Sequence, residues 1–253
     1  METSDRGFEH MTPIQGEWTI DAVNLPADVL RKVYFDNARR LLVRALPPPM
    51  AVAKRLKGDV VLDGMADEAV WETASPVLIE QSLRSGKVNA KAATTVRILW
   101  SDTHLYLAYQ TPFKKLTVFE PALKEGERAG LWDRDVVEAF IGPDPDKVKS
   151  YTEYEVAPTG ESLDLKIDQP GKSLEWNSGF ASAVHVDKER GVWTTEMRIP
   201  LSALGGKVPT IESRWRLNLY RKDTSGREFY AWSPTGVGTA HHPSRFGWLR
   251  FED

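Results

Sequence analysis

Four β-patterned segments of this sequence carry ionisable and amide side chains at alternating positions. In Val136–Ile141, the residues Val137, Ala139 and Ile141 point to one face of a strand and leave Glu138 and Phe140 on the other. The same alternation sets Glu153 and Glu155 against Tyr154 and Val156, and Asp164 and Lys166 against Leu163, Leu165 and Ile167. It also sets Arg216, Asn218 and Tyr220 against Trp215, Leu217 and Leu219. If these strands share a sheet, one face carries carboxylates, cations and amides able to hold the hydroxyl groups of a polar ligand. The same pattern also describes an ordinary solvated sheet face. A ligand with flat C–H surfaces needs an aromatic plate as well. Trp132 ends a loop rich in Gly and charge (124–131) and begins a strand, which makes it the best-placed plate. Trp176, in the loop 171–179, is a second loop-borne tryptophan suited to lining a pocket. Trp71, Trp100, Trp193, Trp215 and Trp248 sit in strand or core-like contexts and read as packing. The pair Glu138 and Glu155 also fits the acid and the nucleophile or base of a glycoside hydrolase, a reading that turns on their separation.

Composition narrows the chemistry. The chain has 253 residues, 41% hydrophobic and 10% aromatic, as expected of a globular protein. No run approaches the roughly 18 consecutive apolar residues of a membrane-spanning helix. With 33 basic and 36 acidic residues the net charge is −3, so no basic field collects phosphates and nucleic acid is not an expected partner. The absence of cysteine excludes disulfide scaffolds, Cys-ligated metals and thiol nucleophiles. The first residues lack the charged, apolar, then small pattern of a signal peptide, which makes the cytoplasm the default expectation.

The elements that must position these residues change character at the run Pro47-Pro48-Pro49, a semi-rigid spacer. Before it, residues 25–42 (LPADVLRKVYFDNARRLL) read as a helix. Val29, Leu30, Val33, Tyr34, Ala38, Leu41 and Leu42 form its apolar stripe. After it come about ten short strands: 94–100, 105–109, 136–141, 151–156, 162–167, 180–186, 192–199, 214–221, 228–232 and 247–251. Their turns carry suitable residues, as in Pro158-Thr159-Gly160 and Thr224-Ser225-Gly226. The expected fold is mainly β: an antiparallel β-sandwich of jelly-roll or immunoglobulin-like type with an N-terminal helical segment. The expected boundaries are 1–45 for the helical segment, 46–57 for a proline-rich linker and 58–253 for the sandwich.

Several segments of 58–253 together resemble the family 9 carbohydrate-binding modules and their relatives. They are Leu62-Asp63-Gly64 with Asp67-Glu68 and Trp71, the hairpin VRILWSDTHLYLAYQ (96–110), and LWDRDVVEAFIGPD (131–144). Tyr154-Glu155-Val156, Glu196-Met197-Arg198-Ile199-Pro200, Trp215-Arg216-Leu217-Asn218 and the close Trp232-Ser233-Pro234…His241-His242-Pro243 follow in the family's order. The resemblance implies a non-catalytic module with a carbohydrate ligand. Trp132 matches a tryptophan that stacks on the sugar and Glu138 a carboxylate that binds hydroxyls, with Glu155, Arg216, Asn218, Trp176 and His242 completing the expected site. The second tryptophan of the family's clamp is missing, because Gly238–Pro243 has Ala240 or His241 in its place. The family usually works outside the cytoplasm.

The resemblance implies no cofactor, although family members hold structural calcium; the loops 130–135 and 142–146 supply acidic oxygens but lack a dedicated calcium pattern. Related sandwiches bind haem between a methionine and a histidine or lysine, for which Met65, Met197, His185, His241 and His242 are available. Residues 25–42 resemble the closing helix of metal-dependent amidohydrolase barrels. That likeness implies an alternative role as an accessory domain of an amidohydrolase-type enzyme whose catalytic residues lie elsewhere.

Overall fold

The computed structural model describes residues 3–9, 19–20, 22–38 and 47–253. The chain divides into two compact units, Met1–Ala45 and Leu46–Asp253. In the first, β1 (Phe8–Glu9) pairs antiparallel with β2 (Thr19–Ile20). Helix α1 (Ala27–Arg31) starts after Pro26, whose missing N–H costs nothing at a helix N-terminus, and continues as a π-helical turn, Lys32–Asp36. The expected apolar stripe is only partly visible. Val29 and Leu30 are half-buried, Val33 and Tyr34 are exposed, and residues 39–42 lie outside the described residues.

The second unit holds β3 (Met50–Arg55), β4 (Val77–Ile79), β5 (Gln81–Ser82), β6 (Thr94–Trp100), β7 (His104–Pro112), β8 (Val136–Gly142), β9 (Ser150–Val156) and β10 (Ser162–Asp168). It continues with β11 (Gly171–Ser173), β12 (Ala181–Asp187), β13 (Val192–Pro200), β14 (Arg214–Asp223), β15 (Glu228–Ala231) and β16 (Gly247–Glu252). They form one 14-stranded sheet along the path β11-β10-β9-β8-β14-β16-β3-β6-β7-β13-β12. The sheet curls so that its halves face each other as a sandwich. Val137, Ala139, Ile141 and Leu219 from one half meet Ile98, Leu107, Tyr109 and Met197 from the other in one core. The Tyr109 hydroxyl donates across this core to the Glu138 carbonyl at 3.2 Å.

All ten expected strands are present. Residues 50–55, read from sequence as spacer, are instead a strand of the sheet: β3 joins the halves by running parallel to both β16 and β6. Ala51 and Ala53 alternate inward and are buried, which ties the segment to the core.

The outer faces are covered too. Outside β6 and β7, Trp71 of the 3-10 turn Ala69–Thr73 packs with Leu99 and Tyr106. Outside β8, β9 and β14, Phe140, Tyr151 and Tyr220 pack with Leu131, Ala240 and Phe246 from connecting loops. That second covered face carries the polar cluster.

Candidate functional site

Register decides which polar residues meet. Glu155 of β9 lies opposite Glu138 of β8, and Tyr220 of β14 lies opposite Glu138 on its other side. One step along, Phe140 is flanked by Glu153 and Asn218. Because side chains alternate with period two, Glu138, Phe140, Glu153, Glu155, Asn218 and Tyr220 share one face.

That face is not solvated. Glu138, Glu153 and Glu155 are 2%, 3% and 0% exposed. Glu138 Oε1, Glu153 Oε2 and both carboxyl oxygens of Glu155 are buried without a hydrogen-bond partner. Burial is the main cause that pushes all three carboxyl groups up, Glu153 to about 7 and the other two well above the usual range. Mutual repulsion adds to the rise at Glu138 and Glu155. Lys172 opposes it at Glu153 and Glu155, and Lys222 at Glu138.

The rim comes from loops and from the edge strand. Trp132 lies in the 3-10 turn Leu131–Asp133 that follows Gly130, whose φ of 84° opens the turn. Its half-buried ring packs on the outer cluster, and the Lys172 ammonium of β11 sits 4.6 Å from the ring centroid. His241 packs its ring 5.2 Å from that of Phe140. Its Nδ1 lies 2.9 Å from the Tyr151 hydroxyl and its Nε2 lies 3.8 Å from Glu153 Oε2. Burial, and then the Lys172 charge, lowers the His241 pKa, which favours the neutral imidazole.

The expected site residues therefore separate. Glu138 and Glu155 come together with Glu153 and His241, and Trp132 is linked to them through Lys172, which rests on its ring and acts electrostatically on Glu153 and Glu155. Asn218 lies on the same face but its polar atoms are used internally. Its Nδ2 donates to the Tyr220 hydroxyl at 2.7 Å and to the Ser233 carbonyl at 2.8 Å. Its Oδ1 accepts from the Leu219 and Ser233 N–H groups, both at 3.0 Å. Arg216 lies further along the face with its guanidinium 3.8 Å from the Trp248 ring centroid. Trp176 belongs to the inner side, edge-on to Tyr154 at 6.4 Å. His242 caps the 3-10 turn Pro243–Arg245, and its neighbour His241 is the histidine that reaches the carboxylates.

Asp164 also leaves the cluster. It pairs in register with Tyr154, faces inward and accepts hydrogen bonds from the Ser178 N–H and hydroxyl. Met197 fills the sandwich core. In the acidic loops, several carboxylate oxygens are already engaged. Both Asp135 oxygens accept backbone N–H groups, from Thr117 and Thr224, and Asp144 is engaged by Asp146 and Lys147. Among the described residues no group of three or more His, Asp or Glu side chains is arranged to hold a metal ion.

Known proteins share this architecture. Two structures of a family 9 carbohydrate-binding module from Caldicellulosiruptor kristjanssonii, one with cellotriose and one with glucose, superpose on 80% of this chain. Each has a TM-score of 0.59 at 17% identity, and the matches cover 93% and 95% of those chains. At that identity the likeness shows the fold. A curated relative described as an extracellular protein, from Arthroderma benhamiae, is 26% identical over 172 residues, which is 60% of this chain and 76% of that protein. Residues 62–253 match the family model described as carbohydrate family 9 binding domain-like. The chain belongs to the carbohydrate family 9 binding domain-like family.

Proposed function

We propose that this chain is a non-catalytic carbohydrate-binding module whose ligand sits on the outer face of β8 and β9, against Trp132. The carrying observation is the set of buried, unpartnered carboxylate oxygens on Glu138, Glu153 and Glu155 beside an aromatic ring at the rim. A sugar supplies what this arrangement lacks: hydroxyl donors for the carboxylates and a C–H face for the indole. Lys172, on an exposed edge strand, rests on that ring and must leave it, opening the rim above the carboxyl groups, for a sugar to enter. The family membership and the sugar complexes of the Caldicellulosiruptor module support the reading.

The same geometry argues against glycoside hydrolysis. Glu138 and Glu155 are side by side within the sheet and both are sealed from solvent, so neither offers an ionised nucleophile to a bond held between them. Residues 25–42, likened from sequence to an amidohydrolase helix, lie outside the region matched by the family model, and the matching family and structures lend that likeness no support. Affinity electrophoresis in gels containing soluble polysaccharides tests the proposal. Retardation by at least one neutral glycan is expected, and unchanged mobility across cellulose, xylan and mannan derivatives contradicts it.

A further inference from the structure

We infer that the site favours a sugar carrying a protonated amino group, seated with its ammonium between the Trp132 ring and the carboxylates of Glu153 and Glu155. This rests on the carbohydrate reading above and narrows its ligand class.

The first support is the unmet chemistry. Four oxygens of Glu138, Glu153 and Glu155 have no hydrogen-bond partner outside this carboxyl cluster, in which Glu153 and Glu155 bond to each other. Register stacks Glu155 against Glu138, with Glu153 next along β9 on the same face. Hydroxyl donors satisfy those oxygens whatever their protonation, whereas an ammonium brings three donors and a positive charge that favours the ionised form of Glu153, whose pKa of about 7 leaves it part-ionised near neutral pH.

The second support is that the aromatic plate already carries a cation. The Lys172 ammonium rests 4.6 Å from the Trp132 ring centroid, within the range of cation–π attraction. Among the described residues no ion pair joins Lys172 to Glu153 or Glu155. The lysine therefore marks a cation position at the rim, and its charge reaches Glu153 and Glu155 without forming an ion pair with either. His241 does not fill the gap, since its Nε2 stands 3.8 Å from Glu153 and burial favours its neutral form.

The test is calorimetric titration of the chain, near neutral pH, with glucosamine and glucose β-1,4-oligosaccharides of equal length. The inference predicts about tenfold tighter binding of the amino sugar, the effect of one charge-assisted contact. E153Q, which keeps the shape and removes the group that ionises near neutral pH, brings the ratio of the two affinities toward one. Equal affinities in the native chain, or a preference for the neutral sugar, overturn the inference and leave the carbohydrate reading standing. Failure of the folded chain to bind either sugar overturns the inference, and only failure with xylan and mannan derivatives as well removes the carbohydrate reading itself.

Discussion

Glu138 on β8 and Glu155 on β9 face each other in register, and both are cut off from water. Like charges directly opposite in a sheet destabilise it, and desolvation adds a larger cost. The fold tolerates the pair because the carboxyl groups hold protons well above the ordinary glutamate range. The strand pairing thus maintains a reserve of unsatisfied acceptors on a face that carries an aromatic ring at its rim.

A stability measurement reads this directly. A carboxyl whose folded pKa exceeds its unfolded value of about 4.5 stabilises the fold below that pH, and the contribution is lost as pH rises through the folded pKa. Glu155→Gln removes the ionisation while keeping the shape. Thermal unfolding of the variant and the native chain should coincide near about pH 4.5 and diverge as pH rises, with the variant the more stable at alkaline pH. The opposing titration of His241 cancels in the difference. Curves that stay parallel at every pH would show that Glu155 ionises freely.

Asn218 is expected to act as a brace. Its four hydrogen bonds tie β14 to Ser233 and to the Tyr220 hydroxyl, which in turn donates to the Ala240 carbonyl at 2.9 Å. Asn218→Ala should lower unfolding stability by about 3 kcal/mol in a urea titration, because buried partners are left unmet. A loss of ligand affinity at unchanged stability would assign Asn218 to the ligand instead.

Gly64 is a backbone requirement of a different kind. Its φ is +86°, and a Cβ there would lie 2.5 Å from the Val184 carbonyl carbon. Its N–H donates at 2.7 Å to buried Glu196, which clips the Asp63-Gly64 loop to β13. Gly64→Ala should cost upwards of about 2 kcal/mol, since left-handed strain and overpacking add. A melting temperature equal to that of the native chain would mean that the loop moves without penalty.

Lys172 tests the occupancy of the plate. Because its ammonium rests on the ring that a sugar must reach, Lys172→Ala should tighten binding about threefold, the effect of removing a weak exposed cation–π contact. Weaker binding would make Lys172 a ligand contact in its own right.

Much of this was legible from alternation. The β6–β7 hairpin and the shared face of Glu138, Glu155 and Asn218 follow from period-two patterning within strands that later prove adjacent. Patterning does not fix the phase between strands, and so Asp164, grouped from sequence with the carboxylates, turns inward once Leu163 pairs with Glu155. β3 carries no such signal, because its partners are parallel and distant in the chain, so no hairpin announces it, and the neighbouring prolines read as a spacer. His241 and His242 differ by one position in an irregular loop, where no periodicity says which ring turns toward Glu153. Trp132 was recognisable from its loop-to-strand position, whereas the cation above its ring comes from β11, three exposed residues without an apolar pattern.

The central claim is that the Trp132 face holds a carbohydrate. Calorimetric titration of the native chain and of Trp132→Ala with one panel of neutral and amino oligosaccharides tests it most directly. The account predicts saturable binding by the native chain that weakens at least about tenfold in the variant, with the fold retained. Undiminished binding by Trp132→Ala would place the sugar on another surface, and no heat with any sugar would contradict the account outright.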